Sequence, residues 1–347
     1  MMKRILVLTA MIAFLCSCAE KATVISTDFW DESFSAWVKN HDPDAEKVGN
    51  IYINYFQHYP DASPYNLYDN ESWVLVNYTG RTLDGDVFVT RSDSLAKLLG
   101  TWSEYAHYSA QFANFAPSSY TLFTPGFCEA LRNMNVGDSA RVYIPASLST
   151  PTTINFGTGF TGSVSDYANF PMMYDIRLKA ITNNPSRFEM DTLAKFARKH
   201  WGMEPRDTLT TGIYFRKIKE NPDGYPITTD STAYVYYTHA FLDGFIVDTN
   251  IDTVALKYNI YQEEQTSRYD VKVLNINLSG VDDALTYAAT NMRRGEIAEI
   301  AVISYYAQGV NGVSAGSSNY LIDIGPYTPM LFTVYTEDNN GNSEGDD

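Results

Sequence analysis

Cysteine is scarce in this sequence, with three residues in a chain of 347. Two of them, Cys16 and Cys18, close an N-terminal leader, so Cys128 is the only one in the rest of the chain. A single cysteine cannot form an intrachain disulfide, and stability must therefore come from burial of apolar side chains. Cys128 itself falls in an apolar segment, which favours a packed, unreactive thiol.

Basic residues are also few, since 25 Lys and Arg face 41 Asp and Glu, for a net charge of −16. Such a surface repels phosphate backbones, so we expect no nucleic-acid partner. The sequence has no glycine-rich phosphate loop, no G-x-S-x-G turn and no Cys–His arrangement for nucleophilic catalysis. We predict no metal and no cofactor, because metal-ligand spacing is missing among the five histidines, His41, His58, His107, His200 and His239.

No apolar run is long enough to span a bilayer. The longest stretch near the N-terminus, residues 5–15, follows Lys3 and Arg4, and eleven residues are too few for a helix to cross about 30 Å of hydrocarbon. The pattern is typical of a secretory signal. Its Leu-Cys-Ser-Cys ending resembles the bacterial lipobox, which implies a signal peptide over 1–18 and lipidation of Cys18. The alternative is an ordinary export signal with a coincidental cysteine.

The lipobox resemblance implies a location as well as a modification. We expect the protein to be lipid-anchored through Cys18 in the bacterial cell envelope, at the periplasmic or the surface face of the outer membrane. The residues from Glu337 to the C-terminus are acidic and turn-rich, with no apolar side chains to bury, and predict a flexible tail.

Aromatic residues are abundant, with 26 Tyr and 18 Phe, and they favour sheet over a helix bundle. One strand-turn-strand pattern occurs twice, as WVLVNYTGRTLDGDVF at 73–88 and AYVYYTHAFLDGFIV at 233–247. Further landmarks pair along the chain with an offset that drifts by only four residues, from Ile51 with Ile213 to Tyr174 with Phe332. The sequence therefore predicts two copies of one unit.

Each unit has the same predicted order of elements. A helical segment comes first, DESFSAWVKNH in one copy and DTLAKFARKHWG in the other, where Asp191 is the expected N-cap. A later short helix is expected over Cys128 to Met134 and, one turn longer, over Leu285 to Met292. The expected fold class is α+β, with two domains at 28–185 and 190–336, each a bent antiparallel β-sheet wrapped on a short helix.

The duplicated motifs resemble the FKBP family of peptidyl-prolyl cis/trans isomerases. VLVNYTGRTLDGDVF is similar to the family's V-x-V-x-Y-T-G-x-L-x-D-G-x-x-F. FTPGFCEALRNMNVGDSARVYIP is similar to its V-I-P-G-[WF]-x-x-A-L-x-x-M-x-V-G pattern, and MMYDIRLKAI to its closing strand. The resemblance covers most of 51–181, except an insertion near 100–120, and more weakly 213–336. It implies an FKBP-like domain in each unit.

In the first unit the resemblance implies a proline pocket built from aromatic side chains. Tyr78 would direct its hydroxyl at the ligand carbonyl, Phe88 would form a wall, Phe127 the floor and Tyr174 the closing-strand ring. The position after the wall residue, where the family has an acid, is Val89. Leu148 is expected on the lip, and Thr150 replaces the family's loop tyrosine.

In the second unit the matching positions are Tyr237, Asp248, Tyr306, Ile324 and Phe332. The floor is assigned to Val281, the signature glycine has become His239, and Gln308 stands at the loop tyrosine. Each of the aromatic residues in both units could instead be ordinary sheet core. Asp282 and Asp283 are expected to serve the dipole of the second short helix rather than catalysis.

The resemblance implies an enzyme without a catalytic dyad. Rotation about an X-Pro bond crosses a barrier of about 18–20 kcal/mol, and a dry aromatic pocket can favour the twisted, less polar amide. We therefore expect a peptidyl-prolyl cis/trans isomerase and folding helper whose partners are proline-containing polypeptide segments. The alternative is a catalytically inactive FKBP-like binding or scaffold lipoprotein.

Overall fold

The computed structural model of the chain describes residues 27–60, 67, 71–115, 123–149, 170–228, 232–275, 283–316 and 320–338. The leader, residues 339–347 of the C-terminal tail, Cys18, Thr150, Val281 and Asp282 lie outside these residues. Two antiparallel sheets form the framework of the described chain, and each packs against one short helix. This arrangement confirms the expected α+β class.

The first sheet has the order β1-β2-β6-β7-β3-β4, and β5 also pairs with β3. Its strands are β1 (Glu46–Val48), β2 (Ile51–Gln57), β3 (Ser72–Thr82), β4 (Val87–Thr90), β5 (Gln111–Phe115), β6 (Ser139–Ile144) and β7 (Met172–Thr182).

The second sheet has the order β8-β12-β13-β9-β10, and β11 also pairs with β9. Its strands are β8 (Ile213–Lys219), β9 (Thr232–Phe241), β10 (Ile246–Thr249), β11 (Lys272–Asn275), β12 (Ile297–Val302) and β13 (Met330–Thr336). Strand for strand, this order repeats β2-β6-β7-β3-β4 with β5 on the side.

The strand registers show that the two sheets are copies at the level of single residues. Gly80 lies opposite Tyr174 in the first sheet, and His239 lies opposite Phe332 in the second. The Asp-Gly turns match too, because Gly85 and Gly244 both adopt a positive φ, at 99° and 90°, that a residue with a Cβ rarely takes. The structure therefore confirms the predicted duplication.

The short helix of each unit is buried against the concave face of its sheet. These helices are α3 (Pro125–Arg132), with Thr124 as N-cap and proline in its first turn, and α6 (Ala284–Thr290), with Asp283 as N-cap. Phe127, Cys128 and Leu131 are all fully buried in the first core. The expected thiol packing is thus confirmed, and Asp283 serves the helix terminus as predicted.

Three sequence-based helix assignments are wrong. The first short helix begins earlier than Cys128 because Thr124 caps it, and the second is not a turn longer, since α6 has seven residues and α3 has eight. Asp191 is not an N-cap. It lies inside α4 (Pro185–Trp201), which Asn184 caps, and it pairs with Arg187 one turn before it at 3.0 Å.

A long helix covers the outer face of each sheet. In α1 (Thr27–His41), Phe34 and Val38 pack on the first sheet, and in α4, Leu193 and Ala197 pack on the second. Helices α2 (Asp93–Leu99) and α5 (Asp252–Lys257) follow β4 and β10. Short 3₁₀ turns complete the described elements at Ala146–Leu148, Pro205–Asp207, Glu263–Tyr269 and Ser304–Tyr306. Whether 28–185 and 190–336 fold as separate domains stays a prediction.

Candidate functional site

The first site consists of Tyr78, Phe88, Phe127 and Tyr174, which the fold brings together as the resemblance implied. The ring of Tyr174 stands edge-on to Phe88 and Phe127, with centroids 5.7 and 5.1 Å away. Tyr78 contacts Phe127 in the same way at 5.5 Å. The four side chains therefore form one aromatic cluster on the concave face of the sheet.

This cluster is filled by its own rings. Phe123 stacks on Phe127 with a centroid distance of 4.7 Å, and no ring of the first site is more than 3% exposed. The backbone closes in as well, because a Cβ added at Gly80 would lie 2.6 Å from Phe88 and 2.7 Å from Tyr174. Glycine is needed here to admit the two rings.

The polar atoms of the first site are also occupied within the protein. The Tyr78 hydroxyl donates to Gln111 Oε1 at 2.8 Å, and the Tyr174 hydroxyl contacts the Met172 sulfur at 3.6 Å. Burial raises the pKa of Tyr78, against a smaller lowering by the Arg91 charge, and burial likewise raises the pKa of Tyr174. Both hydroxyls are thus neutral and already hydrogen-bonded.

The second site has a polar chain that the first site lacks. The Tyr237 hydroxyl donates to Asp248 Oδ2 at 2.9 Å, and Arg268 Nη2 donates to Asp248 Oδ1 at 2.5 Å. The Asp248 side chain is 10% exposed, so this charge-assisted pair is largely shielded from water. Burial, followed by the charge of Asp248, raises the pKa of Tyr237. Unlike Tyr78, Tyr237 is only half-buried.

His239 lies on the same face of β9 as Tyr237, two residues along. Its imidazole stacks on Phe332 with a centroid distance of 4.1 Å and an interplanar angle of 8°. Burial lowers the pKa of His239 to about 4, with Asp248 acting in the opposite direction, so the ring is neutral at neutral pH. The Tyr320 hydroxyl lies 3.5 Å from Nδ1, while Nε2 has no hydrogen-bond partner among the residues that the structure describes.

The two units fill equivalent space with a different pair of side chains. In the first, Gly80 is combined with Phe88; in the second, His239 is combined with Val247. Phe88 and Val247 both sit at the register shift of the β3–β4 and β9–β10 pairs, so they are equivalent positions. The second unit therefore has an imidazole on β9 and a valine on β10 where the first has a glycine on β3 and a phenyl ring on β4.

The remaining predicted residues of the second site are distributed around this pair. Ile324 is buried, and the half-buried Tyr306 stands edge-on to Tyr287 at 5.5 Å. The helix position that matches Phe127 carries Leu285, which is buried, so the floor assignment to Val281 was misplaced by the assumed extra turn. Gln308 donates through Nε2 to the Thr328 carbonyl at 2.9 Å.

Sequence reasoning missed several residues that shape the two sites. Gln111 lies in the insertion near 100–120 and Arg268 in the 3₁₀ turn Glu263–Tyr269, and neither segment carries a motif that marks the residue's position. Tyr320 lies in the loop before β13. Leu285 could have been found from the Asn-Met pairs at 133–134 and 291–292, which keep the offset of the neighbouring glycines. Leu148, expected on the lip, is half-buried against the first core.

A cavity of about 390 Å³ lies between the two units, and Tyr78, Phe88, Phe127 and Tyr174 do not line it. It reaches the first site only at Gln111 and the second only at Ile324. The units also contact each other through Trp73 and Tyr327, with centroids 5.1 Å apart, and through His107, whose Nε2 lies 2.8 Å from Asp243 Oδ2. The turn of the second hairpin is thereby held against the first unit.

Within the described ranges, no group of three His, Cys, Asp or Glu side chains could hold a metal ion. Over the same ranges, none of the helices combines the length and the apolar character that a membrane crossing requires.

Comparisons with known proteins give fold-level likeness only. No family model and no curated protein matches the chain. Among solved structures, the three FKBP domains of wheat FKBP73 match at 14% identity over 86% of this chain and 96% of that one, with a TM-score of 0.29. FkpA from Escherichia coli matches at 18% identity over 44% of this chain and 59% of that one, with a TM-score of 0.31.

A peptidyl-prolyl cis-trans isomerase from Pseudomonas syringae pv. tomato matches at 22% identity over 44% of this chain and 90% of its own, with a TM-score of 0.29. Superpositions at these TM-scores carry no argument about either site.

Proposed function

We propose that the chain is an FKBP-like peptidyl-prolyl cis/trans isomerase and folding helper in which the second site binds proline-containing segments. The observation that carries this proposal is the chain of hydrogen bonds from Tyr237 through Asp248 to Arg268. The first site serves as structural core, since its four rings and both hydroxyls are engaged by the protein itself.

The polar chain gives the Tyr237 hydroxyl a way to reach a ligand. Arg268 holds the second oxygen of Asp248, so the carboxylate keeps a charged partner when the hydroxyl turns from Asp248 to a ligand carbonyl. Such a transfer exchanges one hydrogen bond for another and leaves no unpaired buried charge. The surrounding rings then keep water away from the imide, which favours its twisted, less polar form.

The test is the rate of cis/trans exchange in a blocked Ala-Leu-Pro-Phe tetrapeptide, measured by NMR exchange spectroscopy with the full chain. Asp248→Asn keeps the shape of the side chain but removes its charge, and we expect kcat/KM to fall about tenfold or more, because a hydrogen bond to a charged group contributes roughly 1.5–3 kcal/mol. Asp252→Asn, at the exposed start of α5, is the matched control.

Tyr78→Phe separates the two sites in the same assay. If the first site is structural, this variant retains the wild-type rate. A fall equal to that of Asp248→Asn would show that the first site turns over as well and would overturn its assignment as core.

A second candidate function, a binding or scaffold protein without turnover, is favoured by the closed first site and by His239 at the position of the glycine. It predicts that the wild-type chain binds the tetrapeptide without accelerating its exchange. Acceleration that depends on Asp248 would exclude it.

The proposal includes a lipid anchor at Cys18 in the bacterial cell envelope, on the strength of the lipobox resemblance. Incorporation of labelled palmitate should be lost in Cys18→Ser and retained in Cys16→Ser. Equal labelling of both variants would contradict the assignment.

A further inference from the structure

The imidazole of His239 has a nitrogen with no partner at a place where an unsatisfied polar atom is costly. The residue is 2% exposed, and Nε2 is the one of its two nitrogens that makes no hydrogen bond in the described structure. A buried donor or acceptor left unsatisfied is rare in folded proteins, and each one calls for an explanation. Leucine or phenylalanine would fill this space without that penalty.

The protein fixes the orientation of the ring. Phe332 lies flat against one face at 4.1 Å, and the Tyr320 hydroxyl lies 3.5 Å from Nδ1. A neutral ring that accepts from the Tyr320 hydroxyl at Nδ1 carries its proton on Nε2, and in this tautomer the unpartnered atom is a donor. The neighbouring polar groups do not use it, because the hydroxyl of Tyr237 and the guanidinium of Arg268 both donate to Asp248.

A proline-containing segment supplies the missing group. Proline has no backbone N–H, so an X-Pro unit offers the site a carbonyl oxygen and no competing donor at the proline itself.

We propose that His239 Nε2–H binds a carbonyl oxygen of the X-Pro segment, which makes His239 a specificity-determining residue of the second site. This inference rests on the proposed proline-binding function. It assigns to the residue at the glycine position a contact that the first unit, with Gly80 there, is unable to make.

The experiment measures the dissociation constant of the blocked Ala-Leu-Pro-Phe tetrapeptide by calorimetry. His239→Phe preserves an aromatic ring against Phe332 and removes the donor, and we expect about tenfold weaker binding, equivalent to about 1.4 kcal/mol. His200→Phe, on the exposed side of α4, is the matched control and should bind as the wild type does.

A second measurement uses the wild-type chain and therefore tests the proposal even if His239→Phe does not fold. In the wild-type chain, the imidazole ¹⁵N resonance of Nε2 should shift on addition of the tetrapeptide, as expected for a nitrogen that gains a hydrogen bond, while the resonances of His200 stay unchanged. Binding by the wild type with no Nε2 shift, or equal affinity of His239→Phe, would overturn the role of His239 and leave the proposed function standing. No binding by the wild-type chain would overturn both.

Discussion

The second site can be given the side chains of the first by replacing His239 with glycine and Val247 with phenylalanine. This exchange tests whether the two pairs of side chains occupy equivalent space in the two units. The double variant His239→Gly, Val247→Phe should repack as Gly80 and Phe88 do, because the positions share their sheet register. Neither single variant should repack in this way. His239→Gly removes the ring that stacks on Phe332, and Val247→Phe adds a phenyl ring beside an imidazole that already occupies the space.

The magnitudes follow from the geometry of the first unit. There, a single carbon added at residue 80 would come within 2.6 Å of Phe88, so a whole imidazole beside a phenylalanine at 247 is strongly overpacked. Overpacking of a core costs about 1–3 kcal/mol, and loss of a buried aromatic ring costs about 3–5 kcal/mol. If the double variant relieves both costs, the coupling free energy between the two positions approaches their sum, about 4–8 kcal/mol, and partial relief should still give at least about 1 kcal/mol.

The assay is a double-mutant cycle on the free energy of opening of β9, measured by native-state hydrogen exchange of its amides. A local readout is needed because a chain with two cores need not unfold in one step. The control combines His239→Gly with Phe88→Val in the other sheet, where the two effects should add to within about 0.5 kcal/mol. Simple additivity for the His239 and Val247 pair would refute the shared-space argument.

Three further outcomes are expected. The pKa of His239 is about 4 in the folded chain and 6.5 in the unfolded chain, so between these pH values the unfolded chain binds the extra proton. The stability present above pH 6.5 is therefore lost as the pH falls toward 4, by up to about 3 kcal/mol. In His239→Phe, the free energy of unfolding should depend less on pH over this window. Burial raises the pKa of Glu189, whose Oε1 accepts from the Ser304 amide at 2.5 Å. Ionisation of that carboxyl therefore opposes folding, and Glu189→Gln should unfold at higher denaturant than the wild type at pH 7 but not in acid. Gln111→Leu should destabilise the first unit by about 1–3 kcal/mol in denaturant titrations, because it leaves the buried Tyr78 hydroxyl without its acceptor. Adding Tyr78→Phe should restore most of that loss. If the double variant is no more stable than Gln111→Leu, the two side chains do not interact.

Repetition within the sequence made most of the fold predictable. Offsets between Ile51 and Ile213 and between Tyr174 and Phe332 located matching strands, and the structure pairs those strands in the same order. Helix ends were less predictable. Several polar residues lie next to each other before these helices, and the sequence does not show which of them caps the helix, as Thr124 and Asn184 do in the structure.

The candidate sites were predictable only where they lie on the repeated strands. Tyr237 and Asp248 were identified through the resemblance to the FKBP motif on the repeated strands, whereas Arg268 reaches Asp248 from the 3₁₀ turn Glu263–Tyr269, which no sequence pattern indicated. The filling of the first site could not be foreseen either. Phe123 stacks on Phe127, and Gln111 accepts a hydrogen bond from Tyr78, only because tertiary folding brings these residues together.

The tight fit around Gly80 also constrains how two copies of one unit can diverge. If both copies began with glycine facing phenylalanine, histidine could enter at 239 only after the facing ring had shrunk to valine, since the reverse order passes through a clash. The accessible mutational path is therefore directional, and the copy that keeps its phenylalanine stays locked to glycine while its twin is free to acquire new chemistry.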